Sequence, residues 1–434
     1  MERTNWPASA VHRDVLVDSD SAVDAKSRER LAWTILLSAF VVFVSLVVTS
    51  PLAIRWYLTR STSPQKATLE VNSGTVPVVQ AQNVAPIAVA EGGVRDDIKE
   101  GAQIRTDSSS QAFLTLFNYS TVVVFPGTLL TLRRMRSPRF QFSDRPQEIV
   151  LEVTQGRVRV GVAPDVDRPT NTIIQTPHGV ATLREGSYAV ESMPKETQLA
   201  VRTGEALVHA QGEGSGILLN QGERAIFFAD RAPQGPLPAA RNLASNGDFA
   251  QALAGTKLLT GGELAAGWRV YNDQGGDGGD VDGTASLISV GGRRAARFYR
   301  TDSLSNHGET GIIHEINKDV SDYLSVKLRV DIKLVYQSLS GGGDQSSEYP
   351  VIVRVNYKDV YGNDNYWTHG FYYQNRDNKP TQSAQRIPQN VWYLFEEPNL
   401  KETLVNPRTI TSIQIYASGW DYESLISQVG LIAE

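Results

Sequence analysis

The sequence predicts a mainly β protein with one N-terminal transmembrane helix, a stacked β domain and a distal β-sandwich. Three observations predict this fold class. An uncharged run of 24 residues lies near the N-terminus, at positions 31–54. Most of the remaining chain consists of short segments in which β-branched and polar residues alternate, as in half-buried strands. The 36 glycines and 20 prolines separate these segments and favour turns.

The uncharged run predicts a transmembrane helix over residues 31–57. As a helix, its 24 residues would span roughly 36 Å, which is enough to cross about 30 Å of hydrocarbon with some tilt. Arg55, Trp56 and Tyr57 follow it and are typical of the headgroup level. The run is too long for the apolar part of a signal peptide, and no small-residue cleavage site closes it, which favours an uncleaved anchor. Pro51 is expected to kink or end the helix.

The numbers of basic residues on the two sides of this span are nearly equal, so charge alone gives only weak information about the orientation. Those before the span are packed tightly against it, and long domains after a span translocate largely regardless of their charge. We therefore predict that residues 1–30 form a disordered cytoplasmic head, because they are too few and too polar for a core. The span is predicted to lie in the cell membrane, and the chain beyond it is predicted to be extracytoplasmic.

Composition excludes several kinds of function. A net charge of −5 over 434 residues leaves no basic footprint for nucleic acid. The absence of cysteine excludes disulfides, thiol catalysis, zinc–thiolate sites and iron–sulfur clusters. No G-x-S-x-G, H-E-x-x-H or P-loop motif occurs in the sequence. The sequence therefore predicts a protein that binds rather than catalyses, without a cofactor other than a possible calcium ion.

The first β domain is predicted over residues 68–230. Short strands at 111–117, 121–125 and 129–132 are separated by the turn dipeptides Asn118-Tyr119 and Pro126-Gly127. Within 156–162, valines occupy one face, and Arg157 and Arg159 occupy the other. This alternation predicts a half-buried strand whose arginines point outward unless a ligand binds them.

Three pieces of this region, in order, resemble the FecR domain. The first has the pattern G-x-x-I-x-T…S-x-A-x-L…S-x-V-x-V-x-P-x-T, the second G-x-V…T-P, and the third V-x-x-G-x-x-x-V…G-x-x-A. The residues that carry these patterns are Gly101, Ile104, Thr106, Ser110, Ala112, Leu114, Ser120, Val122, Pro126, Thr128, Gly156, Val158, Thr176, Pro177, Val201, Gly204, Val208, Gly222 and Ala225. The resemblance implies a stacked, all-β, solenoid-like unit beyond a single span.

The resemblance also implies an alternative function. The best-known FecR proteins relay a signal across the membrane to a cytoplasmic sigma factor. This chain departs from the family at 183–188, where it has one extra residue in the turn after the T-P segment. Its 30-residue head also lacks the length and the helical pattern of a sigma-binding domain. A sigma-regulating role is therefore kept as the alternative to binding.

A distal domain is predicted over residues 241–434, after a Pro-rich linker at 231–240. The linker is expected to be semi-rigid and unpacked, with few contacts between the domains. Residues 324–334 alternate strictly between apolar and polar side chains, and residues 351–357 repeat the pattern. About eight such strands suit a two-sheet sandwich. Segment 242–249 and Gly267-Trp268 resemble the opening of a galactose-binding-like jelly roll, the fold of many carbohydrate-binding modules.

Aromatic residues crowd the second half of this domain and predict a carbohydrate-binding platform. Sugar rings stack on exposed indole and phenol rings through their apolar faces, while amides and carboxylates bind the hydroxyls. The predicted ligand-binding residues are Trp367, Tyr373, Trp420, Asn363 and Asp364. The alternative is that most of these rings fill the sandwich core, because alternation buries about half of each strand's side chains.

Segment 272–283 is rich in glycine and carboxylates, as calcium loops are. Asp277, Asp280 and Asp282 could supply oxygen ligands to a hard cation such as calcium. The spacing does not fit the EF-hand pattern. A solvated loop without an ion is the alternative.

Together these patterns predict a single-pass membrane protein that acts as an extracytoplasmic scaffold or sensor. Its predicted partners are the lipid bilayer and either a polysaccharide or envelope proteins.

Overall fold

A computed structural model describes residues 19–80, 85–165, 168–210, 216–252, 258–273 and 281–434. In these residues, one long helix is followed by a domain of eighteen paired strands, which we call the barrel, and then by a two-sheet β-sandwich. The fold class predicted from the sequence, mainly β with one N-terminal helix and a distal sandwich, is confirmed.

Helix α1 extends over Ser19–Arg60 and contains the predicted span. Segment 27–60 is long and apolar enough to cross a membrane. Its apolar side chains are exposed; Leu31 and Phe43, for example, are each 63% exposed. A helix with exposed apolar side chains on all sides is suited to lipid.

The helix differs from the prediction at two points. It begins at Ser19 rather than Leu31, so the described part of the head, which we predicted to be disordered, is helical. Extending an existing helix costs far less than nucleating one, and 19–30 contains good helix formers such as alanine, lysine and glutamate. At the second point, the helix does not end at Pro51 but continues to Arg60, because a proline removes only a local backbone hydrogen bond from a long helix; a kink at Pro51 stays a prediction.

The barrel contains β1 to β18. Their bounds are β1 Thr62–Pro64, β2 Lys66–Ser73, β3 Thr75–Val79, β4 Ile87–Ala90, β5 Val94–Lys99, β6 Gln103–Arg105, β7 Gln111–Thr115, β8 Thr121–Val124, β9 Leu129–Pro138, β10 Gln147–Val162, β11 Thr170–Thr176, β12 Gly179–Leu183, β13 Gly186–Ser192, β14 Glu196–Thr203, β15 Ala206–Ala210, β16 Ile217–Leu219, β17 Glu223–Phe228 and β18 Gln234–Pro238.

The barrel wall is flattened into two facing layers that share β10. One layer pairs in the order β4-β3-β6-β9-β10-β11-β12-β15-β16, with β1 also on β9. The other runs β5-β2-β7-β8-β10-β13-β14-β17-β18. The first half of β10 pairs in one layer and its second half in the other. Apolar side chains from both layers form one core between them.

Several of the polar residues in the FecR-like pattern hold turns inside this barrel. The Thr106 hydroxyl donates to the carbonyl of Phe125 (2.6 Å) and accepts from the backbone N–H of Thr128 (2.9 Å). The Thr128 hydroxyl in turn donates to the carbonyl of Arg157 at 3.0 Å. A side chain at Gly156 would collide with Thr128. These residue types are therefore explained by buried backbone groups that need partners.

The Pro-rich segment 231–240 does not behave as the unpacked linker that we predicted. Within it, β18 pairs with β17 through Glu223↔Pro238, Arg224↔Leu237 and Ile226↔Gln234. Proline lacks an N–H donor but keeps its carbonyl, so a proline-rich segment can still pair along one side. The strands of the barrel thus extend from Thr62 to Pro238, whereas the predicted boundaries 68–230 and 241–434 stay predictions.

The sandwich contains β19 to β31 and a short helix. Their bounds are β19 Arg241–Asn242, β20 Gly262–Ala265, β21 Trp268–Asp273, β22 Thr284–Val290, β23 Arg293–Arg300, β24 Gly308–Asp319, β25 Val326–Gln337, β26 Val351–Asp359, β27 Asp364–Tyr372, β28 Ala384–Arg386, β29 Tyr393–Glu397, α2 Leu400–Thr403, β30 Pro407–Gly419 and β31 Tyr422–Ala433.

These strands form two sheets with a common core. One sheet has the order β22-β23-β31-β25-β29, with β19 added to β31. The other is seven-stranded, in the order β20-β21-β24-β30-β26-β27-β28. The side chains between the sheets form a second apolar core, separate from that of the barrel. Each β unit therefore has its own hydrophobic interior.

Candidate functional site

The candidate site is the outer face of the seven-stranded sheet, which points away from the sandwich core. On β26, Val351, Val353 and Val355 are fully buried in the core, so the residues between them point outward. Cross-strand partners share a face, and the pairing therefore extends this outer face across β21, β24, β30, β26 and β27. One row across it, which we call the polar floor, contains Arg269, Ile313, Gln414, Arg354 and Thr368.

The neighbouring row is covered by tyrosines, and two glycines make this possible. Gly311 pairs with Tyr416, and a side chain at Gly311 would collide with Tyr416. On β27, a side chain at Gly370 would collide with the ring of Tyr349, which lies over it. The result is an aromatic ridge beside the polar floor, formed by Tyr271, Tyr349, Ile352, Tyr372 and Tyr416.

One ring on this face is well exposed and firmly supported. Tyr366 is 62% exposed, and the guanidinium of Arg354 lies 4.1 Å from its ring centroid. Arg354 Nε donates to Asn356 Oδ1 at 2.9 Å, and Asn356 Nδ2 donates to the hydroxyl of Ser412 at 3.0 Å. This chain of contacts reduces the freedom that Tyr366 would lose when it binds a ligand.

Two tyrosines of the ridge, Tyr271 and Tyr416, keep their hydroxyl groups protonated at neutral pH. Burial raises the pKa of Tyr416 to about 12, and the negative charge of Glu309 acts in the same direction. Burial likewise raises the pKa of Tyr271 and of the Glu309 carboxyl. A protonated phenol both donates and accepts hydrogen bonds, which suits a ligand that carries many hydroxyl groups.

Two of the predicted platform residues lie on or near the inner side of this sheet. Trp367 pairs with Val355, so it faces the interior, and its ring is stacked 5.9 Å from that of His369. Tyr373 packs against the same core and accepts a hydrogen bond from the backbone N–H of Gln337 at 3.3 Å. Tyr373 also lines an open groove of about 610 Å³ beside β28.

The other three predicted residues lie elsewhere. Trp420 is half-buried just beyond β30, and its carbonyl accepts from Arg300 at 3.0 Å. Asn363 and Asp364 lie at the β26–β27 turn. Asn363 donates to Asp359 at 3.0 Å, and Asp364 pairs with Lys358 at 2.7 Å. The structure thus does not bring the five predicted residues together, and a binding role for each of them stays a prediction.

The predicted calcium ligands are largely outside the structural description. Asp277 and Asp280 fall in the undescribed segment 274–280, and Asp282 is exposed at its edge. In the described ranges, no group of three or more histidine and carboxylate side chains could hold a metal ion. Calcium binding therefore stays a prediction.

The aromatic-rich segment of the sequence did not identify most of the residues in the outer-face site. Arg354 and Gln414 lie between apolar residues in strands that alternate, and this alternation was the signal that could have placed them on an outer face. Tyr271 and Tyr416 lie in strands remote from the aromatic-rich segment. Only the pairing of the strands shows that they share a surface.

A second notable cluster joins the barrel to the sandwich, and we call it the junction. Asp322 of the sandwich receives ion pairs from two arginines of β10, Arg157 at 2.6 Å and Arg159. Arg202 of β14 donates to the carbonyl of Asp322 at 2.5 Å. The side chain of Asp322 is 3% exposed and that of Arg157 is 10% exposed. The two arginines that the sequence placed outward are thus bound by the other domain.

A further set of charged side chains at the junction surrounds Glu191 of β13. It pairs with Lys318 and, at 3.2 Å, with Arg241. Burial would raise the pKa of Glu191, but the charges of Lys318 and Arg241 outweigh this effect and hold it below its usual range. The junction is therefore a partly buried network of opposite charges, not the sparse contact that we predicted across the linker.

Two comparisons found known proteins that are similar to parts of this chain. Residues 102–207 match the family model described as FecR protein. Among solved structures, a candidate anti-sigma factor from Parabacteroides distasonis is 17% identical, with 34% of this chain and 69% of that chain covered and a TM-score of 0.25. A family 11 carbohydrate-binding module from Clostridium thermocellum, in complex with a mixed-linked tetrasaccharide, is 14% identical, with 40% and 94% covered and a TM-score of 0.23. No curated protein matches the chain.

The family match covers most of the barrel, including Thr106, Thr128 and Gly156, whose contacts hold its turns together. The chain therefore carries a FecR domain between its apolar helix and its β-sandwich.

Proposed function

We propose that this chain is a membrane-anchored carbohydrate-binding protein that acts as a scaffold or sensor outside the cytoplasm. The single observation that supports this most is the outer face of the seven-stranded sheet. There, an exposed tyrosine ring braced by Arg354 adjoins a floor of arginine, glutamine and threonine. A sugar offers an apolar ring face for stacking and hydroxyl groups for hydrogen bonds, and this surface has partners for both.

The proposed mechanism is binding without a chemical reaction. Tyr366 would stack on a sugar ring, while Arg354, Gln414 and Thr368 would donate to or accept from its hydroxyls. Arg354 contacts Asn356 and the Tyr416 hydroxyl, and since a guanidinium carries five N–H groups, others remain for a ligand. The ridge, which ends at the half-buried Tyr271, would limit the ligand on one side.

Replacing Tyr366 with alanine tests this proposal. Loss of one stacking ring is expected to weaken binding about five- to tenfold, because such contacts contribute on the order of 1 kcal/mol beyond buried area. The full chain in lipid nanodiscs would first be screened on a glycan array, with and without calcium. Affinity for the best glycan would then be measured for the parent and the variant.

Two matched variants make the result specific. Tyr361 is 81% exposed at the β26–β27 turn, away from the outer face, so Tyr361→Ala should bind like the parent. Trp367→Ala removes a ring on the inner side of the same strand. If Trp367→Ala weakens binding and Tyr366→Ala does not, the residues predicted from the sequence hold the ligand. If no glycan binds the parent, the proposal that this protein recognises carbohydrate is wrong.

We also propose that the barrel and sandwich lie outside the cytoplasm. The basis is the cluster of Lys26, Arg28 and Arg30 directly before the apolar segment. Protease added to intact cells is expected to remove the chain beyond about residue 60, with cleavage followed by antibodies to the two ends. Protection of the C-terminal part until the membrane is permeabilised would reverse the orientation.

The second candidate function is a FecR-type regulator that acts on a sigma factor. The match of residues 102–207 to the FecR family supports it. In that case the head would bind a cytoplasmic sigma factor, and removal of residues 2–18 should abolish its co-purification with the full chain. The regulatory role would be contradicted if the sigma factor still co-purified after this deletion. It would also be contradicted if no sigma factor co-purified with the parent.

A further inference from the structure

The barrel segment 139–145, which we call the collar loop, lies directly against the C-terminal turn of α1. The Ser143 hydroxyl donates to the carbonyl of Thr59 at 2.7 Å, and Arg145 Nη1 donates to the carbonyl of Arg60 at 3.2 Å. Arg139 Nη1 donates to the hydroxyl of Tyr57 at 2.8 Å. These contacts fix the loop beside the residues that end the apolar segment.

The collar loop is also held from the barrel side. Arg168 donates to the carbonyls of Gln141 (2.9 Å), Ser143 and Arg145 (3.0 Å). Ser143 is only 2% exposed at the centre of the loop. Three carbonyl contacts from one guanidinium leave the loop little freedom to move away from the helix.

An aromatic row leads from the helix onto this loop. Tyr57 meets Phe140 edge-on at 6.1 Å, and Phe140 stacks with Phe142 at 5.5 Å. Phe142 is nevertheless 61% exposed, and Trp56 on the helix is 60% exposed. Exposed phenylalanine is unfavourable in water, but Phe, Trp and Tyr are stable at the boundary between headgroups and acyl chains.

The same surface is basic. Arg55, Arg60, Arg139 and Arg145 lie on the helix end and the loop that carry the aromatic row, and none of them has an ion pair within the described parts of the chain. One carboxylate, that of Asp144, lies within the loop. A basic juxtamembrane cluster attracts anionic lipid, at roughly fivefold in affinity for each cation close to the surface.

We propose that the collar loop is a lipid-binding surface for anionic phospholipid headgroups of the membrane that holds α1. Phe142 enters the headgroup region at the depth of Tyr57, and Arg139 and Arg145 bind lipid phosphates. The occupant is a bilayer rather than a protein, because the aromatic row is continuous with the end of the apolar helix and the charge is positive. This contact fixes the barrel against the membrane surface.

The absence of cysteine allows a direct test with a single label. Phe142→Cys in the full chain would be labelled with an environment-sensitive fluorophore and reconstituted into nanodiscs of phosphatidylcholine alone or with phosphatidylglycerol. We expect blue-shifted emission and severalfold stronger quenching by lipids with a shallow spin label than for Tyr119→Cys. Tyr119 is 83% exposed at the β7–β8 turn and serves as the matched control.

Two further measurements complete the test. Trp56→Cys, at the exposed ring beside Tyr57, should report headgroup depth, which checks that α1 is inserted. The blue shift at position 142 should increase with phosphatidylglycerol, and it should lose this dependence when Arg139 and Arg145 are both replaced by glutamine. Emission from position 142 as water-exposed as that from position 119, in both lipid mixtures, would overturn the proposal. The proposal rests on the membrane anchoring proposed above, and a label at position 56 that lipid does not quench would overturn both.

Discussion

Replacing Asp322 with alanine is expected to destabilise the junction between barrel and sandwich by about 3–5 kcal/mol. The carboxylate is 3% exposed and pairs with Arg157 and Arg159 of β10. Without it, two largely buried guanidinium groups lose their counter-ion, and their desolvation is no longer compensated. The ring of Tyr323, 4.8 Å from Arg157, would remain but offers much weaker compensation.

Thermal unfolding of the full chain in nanodiscs measures this effect. We expect the barrel and sandwich of the parent to melt together, because the junction couples them. In Asp322→Ala the transition should move to lower temperature and separate into two steps, one for each core. Asp377→Ala removes an exposed carboxylate of the same sandwich and should melt like the parent. Two transitions in the parent, unchanged by Asp322→Ala, would instead support the independent domains predicted from the linker composition.

The junction shows what local sequence patterns cannot predict. Alternation in 156–162 correctly placed Arg157 and Arg159 on the outer side of their strand. Their partner Asp322, however, is more than 160 positions away along the chain. Asp322 lies in a short segment between β24 and β25 with no pattern of its own. A residue whose role comes entirely from a long-range contact has no local signal that would identify it.

The placement of the aromatic residues illustrates a second limit. Alternation on β26 predicts its own inward and outward faces correctly. On β27, whether Tyr366 or Trp367 points outward depends on the register across the connecting turn. A shift of one residue exchanges the two faces. Composition correctly predicted a β-sandwich, but an aromatic-rich strand did not show which of its rings a ligand could reach.

The polar residues of the FecR-like pattern were easier to interpret. Thr106 and Thr128 recur at turns, and the structure shows that their hydroxyls bind buried backbone groups. A pattern of this kind predicts the fold because it follows from requirements of the backbone. It carries little information about a ligand, since these hydroxyls already have partners inside the barrel.

Replacing Trp268 with alanine is expected to cost the sandwich about 3–5 kcal/mol of unfolding free energy. Trp268 begins β21 and is fully buried. Its ring meets Phe249 edge-on at 5.5 Å and stacks on His314 at 4.7 Å. Its Nε1 donates to the carbonyl of Ser245 at 3.0 Å. Alanine would leave a large cavity and remove the partner of that carbonyl.

His314 would be affected as well. Its Nδ1 donates to the carbonyl of Gly267 at 2.7 Å, and its Nε2 accepts from the N–H of Ser245 at 3.2 Å. The imidazole is neutral in this arrangement, and burial lowers its pKa. Loss of the indole would admit water beside the ring, so its pKa should rise towards the ordinary value. The pH titration of His314, followed by NMR in a folded Trp268→Phe variant, would detect this change without requiring the alanine variant to fold.

A second tryptophan of the same sandwich provides the comparison that decides the result. Trp392 is half-buried, with the guanidinium of Arg293 4.8 Å from its ring. A partly exposed ring in a cation–π contact contributes only about 0.5–1 kcal/mol through that contact, so Trp392→Ala should lower the melting temperature much less than Trp268→Ala. Chemical denaturation of both variants, with unfolding of the sandwich followed separately from that of α1, gives the two free energies. Equal losses would show that Trp268 is not the centre of the sandwich core, because a fully enclosed indole between two rings must cost more to remove than one that solvent already reaches.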